Sequence, residues 1–243
     1  MISPIINWLN GFSAFAIVCC AWIFVFLCIY YYRKHKLKIY FNGILLGLAI
    51  AFGWTGITLS FLSVVIYGEN LPGLSSIISY FSYSTIPFGA LAIILVAWDV
   101  AGAPYLKKIV IIGFVAFAIT YYVILYSTFE YAIVVSTDIP DDQVLDDWID
   151  PTSIFYYFVW LGVIPTAIIT AIGFNKFRKL TAGEVKKRSL YLVIATPIVG
   201  VSILLDTVIF MEPQVNLLSI PRFLIILGLY LIYRGLVRPP ETI

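Results

Sequence analysis

Two charged residues of opposite sign stand inside stretches that are otherwise apolar. Asp206 follows Ser202-Ile203-Leu204-Leu205, and Arg222 sits between Ser219-Ile220-Pro221 and Phe223-Leu224-Ile225. An ionised side chain inside a membrane span costs about 2.5–3.5 kcal/mol at the helix centre, and less nearer the interface. Counted at 1.5 Å per residue from the outer ends of their stretches, both lie about 7–9 Å below the outer boundary. Consecutive antiparallel spans would bring them to matching depth, where they can pair. Glu130, near the outer end of an earlier stretch, is the rival partner for Arg222. Around the same depth the chain is rich in hydroxyls and rings. Ser79, Ser82 and Tyr83 share one helix face, as do Tyr122 and Tyr126. Tyr156, Tyr157 and Trp160 follow on the next apolar stretch. If these faces converge, they line an apolar cavity with a few placed polar groups, as small-molecule sites do. The candidate ligand set is therefore Asp206, Arg222, Glu130, Tyr83, Tyr126, Tyr157 and Trp160. The competing reading is structural: an ion pair that fixes two spans, with hydroxyls as interhelical hydrogen-bonding glue.

The elements that must position these residues are helices in a bilayer. The chain has 243 residues, 62% hydrophobic and 12% charged, with mean hydropathy +1.01. A soluble domain is closer to half apolar and a quarter charged. Seven stretches reach the length of about 20 apolar residues that a spanning helix needs. They run over about 9–32, 39–67, 74–99, 109–134, 153–175, 189–211 and 216–236, and they leave no room for a soluble domain. Fourteen of the fifteen Lys and Arg residues fall in alternate gaps: Arg33 to Lys38, Lys107 and Lys108, Lys176 to Arg188, and Arg234 with Arg238. Short loops rich in Lys and Arg stay cytoplasmic. The expectation is an all-α membrane protein, a single seven-transmembrane helix bundle over 1–243, N-terminus outside and C-terminus cytoplasmic. Met1-Ile2-Ser3-Pro4 lacks the basic start of a signal peptide, so the first apolar run is expected to remain as span 1.

Smaller signals refine this picture. Gly43 and Gly47 have the small-xxx-small spacing that lets helix backbones approach. Pro87, Pro165 and Pro197 interrupt spans 3, 5 and 6 and can kink them. Thr181-Ala182-Gly183-Glu184 reads as a capping box, starting span 6 about two turns before the membrane. Cys19, Cys20 and Cys28 all lie on span 1 and read as packing residues. His35 reads as a loop residue and Asp99 as a partner for a nearby Lys or Arg. Six aspartates crowd 138–150 without the spacing and glycine of a calcium loop, so that segment reads as a solvated acidic loop.

Several chemistries are missing their residues. All nine lysines lie in or beside the basic gaps, so no retinal Schiff base can form inside the bundle. Trp98-Asp99-Val100 replaces the Asp-Arg-Tyr of G-protein-coupled receptors. One histidine cannot supply the His-Glu-x-x-His of a zinc peptidase. No catalytic motif, cofactor or metal is indicated. The lysines are explained by topology, so no nucleic acid is expected as a partner.

The stretches Ser79-Tyr80-Phe81-Ser82-Tyr83-Ser84-Thr85-Ile86-Pro87 through Ala97-Trp98-Asp99 are similar to the N-terminal seven-transmembrane sensor region of prokaryotic histidine kinases. The likeness continues through Lys186-Lys187-Arg188-Ser189-Leu190 to Leu205-Asp206, and from Pro221-Arg222 to Tyr233-Arg234. It is one of rhythm and residue type. The resemblance implies a membrane sensor domain without the kinase part, since nine residues follow Arg234. The expected protein is thus a multi-pass sensor or receptor-like protein of the cell (plasma) membrane. It would bind a small or lipidic ligand in its outer half and signal to a cytoplasmic partner through loop 176–188. The alternatives are a small-solute transporter or channel with Asp206 and Arg222 on the pathway, and a non-catalytic scaffold or assembly subunit of a membrane complex.

The charge pattern makes one direct prediction. In a background lacking Cys19, Cys20 and Cys28, single cysteines at Asp142 and Lys179 are exposed to an impermeant thiol reagent on intact cells. Position 142 should label and position 179 should not; the opposite result would reverse the assignment.

Overall fold

The computed structural model describes residues 4–71, 73, 80, 82–101, 104–135, 142–208 and 218–236. Among the described residues eight helices carry the fold: α1 (Pro4–His35), α2 (Lys38–Gly53), α3 (Thr55–Tyr67), α4 (Ile86–Ala101), α5 (Pro104–Ala132), α6 (Ile154–Leu180), α7 (Gly183–Val208) and α8 (Ser219–Leu236). Two short antiparallel strands, β1 (Ile133–Val135) and β2 (Asp147–Ile149), lie between α5 and α6. Among the described residues six helical segments are long and apolar enough to cross a membrane, and α2 with α3 makes a seventh if that bent pair is one span. The protein is an all-α, multi-pass membrane bundle.

The second span is broken where one continuous helix over 39–67 was expected. The α2 and α3 axes differ by 48°. Trp54, at φ −107° and ψ 3°, lies outside the helical region, and the Thr55 hydroxyl donates back to the Ala51 carbonyl at 2.8 Å. Such back-bonding competes with the helix ladder and bends it. The break swings the Trp54 indole toward the bundle interior.

Six spans close into a ring in the order α1, α2–α3, α4, α6, α7, α8 and back to α1, while α5 stands outside it against α6. Small residues set several close seams. A Cβ on Gly43 would meet Cys28 Sγ at 2.9 Å, and one on Gly47 would meet Val25 at 2.6 Å and Phe24 at 2.9 Å. The small-xxx-small spacing thus serves the α1–α2 contact. A Cβ on Gly89 would meet Ala49 at 3.2 Å, so α2 and α4 are almost as close. The three cysteines are free thiols.

The basic end of the bundle is packed. Cys28, Val96, Phe174, Leu192 and Leu236 are buried there. Arg188 Nη2 donates to the Leu236 carbonyl at 3.3 Å, and Asn42 Nδ2 donates to Asp99 at 2.9 Å. Thr181 does not cap α7. Its hydroxyl donates to the carbonyls of Phe177 and Arg178, closing α6. The first carbonyl of α7 to accept a helical bond is that of Ala182, from Lys186 N at 3.4 Å. The cap of α7 is therefore Ala182, one residue later than a capping box requires. Pro165 and Pro197 lie inside α6 and α7, and Pro87 follows the turn at Thr85 that interrupts the helical run Ser82–Val100, as a proline inside a span can do.

Candidate functional site

Arg222 is the largest fully buried side chain described, at 1% exposure. It stands in the first turn of α8, just after Pro221. Its guanidinium reaches three other elements. Nε donates to Asp206 Oδ1 on α7 at 2.9 Å. Nη2 donates to both oxygens of Asp146 at 3.0 and 2.8 Å, and Nη1 donates to the Asn10 carbonyl of α1 at 3.1 Å. The second oxygen of Asp206 accepts from Trp54 Nε1 at 3.2 Å, which is what the break after α2 achieves. Arginine suits this place because its fork carries five donors in one plane.

Asp146 belongs to the acidic segment that was expected to be solvated. Asp142 is exposed there, yet Asp146 and Asp147 are 5% and 7% exposed. The reason is that the segment is sewn into the end of the bundle. The Asn7 side-chain amide bonds both ways with the Val144 backbone, at 3.1 and 2.8 Å. Leu145 N donates to Ser60 Oγ at 2.7 Å, and Asn70 Nδ2 donates to the Gln143 carbonyl at 2.7 Å. The β1–β2 ladder pairs Ile133 with Ile149 and Val135 with Asp147. Strand alternation then turns Asp147 and Ile149 to the same, buried side. Segment 142–150 is thus a plug held by α1, α3 and α8, and by Ser82 just before α4. Asp138 and Asp141 lie outside the described residues, as do Ser79 and Arg238.

Beneath the plug, the ring surrounds a partly open cavity of about 140 Å³. Its walls come from α2, α3, α4, α6, α7 and α8 and are mostly apolar. Asp147, Asp206, Ser82 and Trp54 gather at its plug end. Ser82 Oγ donates to Asp147 Oδ1 at 3.2 Å, while Asp147 Oδ2 is buried with no hydrogen-bond partner. Deeper in, Thr170 and Thr196 turn their hydroxyls back onto helix carbonyls of Thr166 and Leu192. The polar character of the cavity is therefore concentrated at one end. Burial pushes the Asp147 carboxyl up to about 7, the neighbouring Asp146 charge adds to that, and the Ser82 bond and Arg222 charge oppose it. Burial also raises Asp146, against the pull of Arg222. Asp150, at the surface, is instead lowered by its bonds from Thr152.

The expected set divides. Asp206 and Arg222 meet, and Tyr83 lines the cavity beside them. Glu130 is exposed and takes no part in the Arg222 cluster; the rival partner is Asp146. Tyr126 and Tyr157 are 56% and 63% exposed and face away from the ring. Helix α5 turns inward its Tyr121, Leu125, Thr128 and Ala132 face, with Tyr121 Oη donating to the Tyr83 carbonyl at 2.9 Å. Helix α6 turns inward Phe155, Val159 and Val163, opposite Tyr157. Trp160 is half-buried against Tyr156 and does not line the cavity. Sequence reasoning missed Asn7, Asn10, Trp54, Asp146 and Asp147. One signal was present: Val144, Leu145, Trp148 and Ile149 flank the two aspartates, and a freely solvated loop has no use for four apolar residues. No protein-family model matches the chain, and no curated protein matches it.

Arg222 serves two carboxylates, so its loss should cost more than the loss of either one. Arg222→Gln leaves Asp146 and Asp206 facing each other without a cation, and should destabilise by about 3–5 kcal/mol. Asp206→Asn leaves Arg222 paired with Asp146 and should cost less. Unfolding of the purified protein in mild detergent measures both; equal losses would contradict a shared guanidinium. The same melts carry a pH signature. The unfolded chain releases the Asp147 proton near 3.8 and the folded protein near 7. Between those values the folded state holds more protons, so stability falls as pH rises through that window. Asp147→Asn should flatten the fall, and an unchanged slope would remove Asp147 as its source.

Proposed function

We propose that this chain is a seven-helix, receptor-like sensor of the cell membrane, with its N-terminus outside and the basic end in the cytoplasm. A small ligand with a largely apolar body occupies the ring cavity under the plug. The change it causes passes to a cytoplasmic partner through segment 176–188. The basic loops favour that orientation, and the plug end is then the outer half. The observation that carries the reading is where the cavity walls lead. Val163, Thr166, Ala167 and Thr170 of α6 line it, as do Thr196, Val199, Gly200, Ile203 and Asp206 of α7. These are the two helices joined by the basic segment, and each holds a proline in its interior, Pro165 and Pro197. A ligand that fits one arrangement of α6 and α7 better than another shifts the population between them.

The packed basic end supports a sensor over a conduit, because buried apolar side chains fill that end and the cavity's polar groups gather at the other. A second feature bears on how a lipidic ligand would arrive. Outside the ring, Leu45, Leu48, Phe52, Phe88 and Leu91 form a groove between α2 and α4. The groove and the cavity share Ala49 and Thr85, two small residues on the wall between them.

Spin labels at Glu184 and Lys108, in a background lacking Cys19, Cys20 and Cys28, report the distance between the basic ends of α7 and α5. Benzyl alcohol is a suitable probe of the cavity. It should shift that distance in the unaltered bundle and leave it unchanged in Ala90→Leu, which fills the cavity from α4. Solute flux in liposomes that depends on Asp206 would replace this reading with transport. No shift and no flux would leave the scaffold reading in its place.

A further inference from the structure

We propose that the cavity takes a small organic ammonium ion, a protonated amine on an apolar body about the size of a benzene ring, with its charge held against Asp147. This rests on the cavity being a ligand site and names the class of ligand.

Size comes first. A cavity of about 140 Å³ is close to the apolar cavity of about 150 Å³ that holds benzene. Its walls, with Ile50, Ile93 and Val163 among them, suit a ring or a short chain and offer an ionised group nothing. A charged ligand therefore has one place for its charge, the plug end.

The hydrogen-bond inventory at that end is incomplete on one atom. Both oxygens of Asp206 are engaged, by Arg222 Nε and Trp54 Nε1. Both oxygens of Asp146 accept from Arg222 Nη2. Asp147 Oδ1 accepts from Ser82, but its Oδ2 has no partner although the residue is 7% exposed. Buried acceptors without a donor are rare in folded proteins and call for an explanation. A donor supplied from the cavity that Asp147 lines would complete the set.

Charge decides between kinds of donor. The groups around Asp147 are Ser82 and Tyr83 just before α4, Asp206 on α7, Arg222 on α8 and its neighbour Asp146. Once Asp147 has released its proton, three carboxylates face one guanidinium, and no other described Lys or Arg lies at this end. A neutral hydroxyl would satisfy the bond and leave the surplus negative charge in place. An ammonium satisfies both. The described carboxylates are not gathered into a group that could hold a metal ion, and the apolar walls below them suit an organic body.

Three probes of one shape test this on the full chain in lipid nanodiscs: benzylammonium, benzyl alcohol and benzoate, with affinities read by calorimetry. Benzylammonium should bind about tenfold tighter than benzyl alcohol, the margin of one hydrogen bond to a charged partner, and benzoate should bind weakest. Its affinity should rise with pH as Asp147 gives up its proton. In Asp147→Asn, benzylammonium should bind no better than benzyl alcohol does, while Asp142→Asn, on the exposed part of the same segment, should leave the preference intact. The three-probe comparison on the unaltered protein stands even if Asp147→Asn does not fold. Equal affinity for amine and alcohol would overturn the ammonium assignment and leave the cavity reading standing. Binding of none of the three would overturn both. A preference for the amine that survives Asp147→Asn would overturn the role given to Asp147.

Discussion

A guanidinium buried in a membrane bundle has to be surrounded by acceptors, because neither lipid nor packed side chains can solvate it. Arg222 meets that demand with groups from three directions: Asp206 on the neighbouring helix, Asp146 on the hairpin and a carbonyl of α1. Removing one partner of a buried ion pair strands the other, so these elements are tied to one another through a single side chain. The rest of the architecture follows from that tie. Segment 142–150 cannot drift away as a solvated loop, since Asp146 would leave with it. The break between α2 and α3 places Trp54 where its Nε1 donates to the second oxygen of Asp206.

The plug and the cavity are two consequences of one arrangement. Helices that converge on Arg222 at one end and pack on Phe174 and Leu192 at the other enclose space between those layers. The space stays mostly apolar because Thr170 and Thr196 on its walls bond to their own helices. It becomes polar only where the hairpin brings Asp147 down. Its walls are the helices that continue into the basic segment, which is why occupancy of the cavity and the conformation of 176–188 are coupled in the proposed function. Helix α5 lies outside this ring, and most of its apolar surface is left to lipid.

The part of the fold set by length and hydropathy was legible. Among the described residues, the apolar stretches appear as six helices long and apolar enough to cross a membrane and one bent pair. The match in depth between Asp206 and Arg222 held because it depends only on counting residues from helix ends. What failed was the choice of face. Periodicity tells which residues share a side, as Tyr122 and Tyr126 do, with rings stacked at 6.2 Å. It does not tell which side turns inward, because lipid is as apolar as a protein core and the contrast that marks a soluble helix is absent. Glu130, Tyr126 and Tyr157 were misplaced on that account. Asp146 and Asp147 were missed for a different reason. Their burial is imposed by Asn7 and Ser60, the first of which bonds a residue 137 positions away. A run of aspartates read along the chain carries no sign of that. The break at Trp54 was foreshadowed only by glycines on either side of it.

Hydrogen exchange at the backbone amides of Val144 and Leu145 tests the central claim most directly. Both amides donate to buried side chains of other helices, Asn7 and Ser60. If Arg222 holds the plug in place, these two amides exchange as slowly as the helical amides of α7. They should then become fast together in Arg222→Gln while the α4–α6 contact stays protected. Exchange at the rate of an open loop in the unaltered protein would contradict the account, because the segment would then not be a fixed part of the bundle.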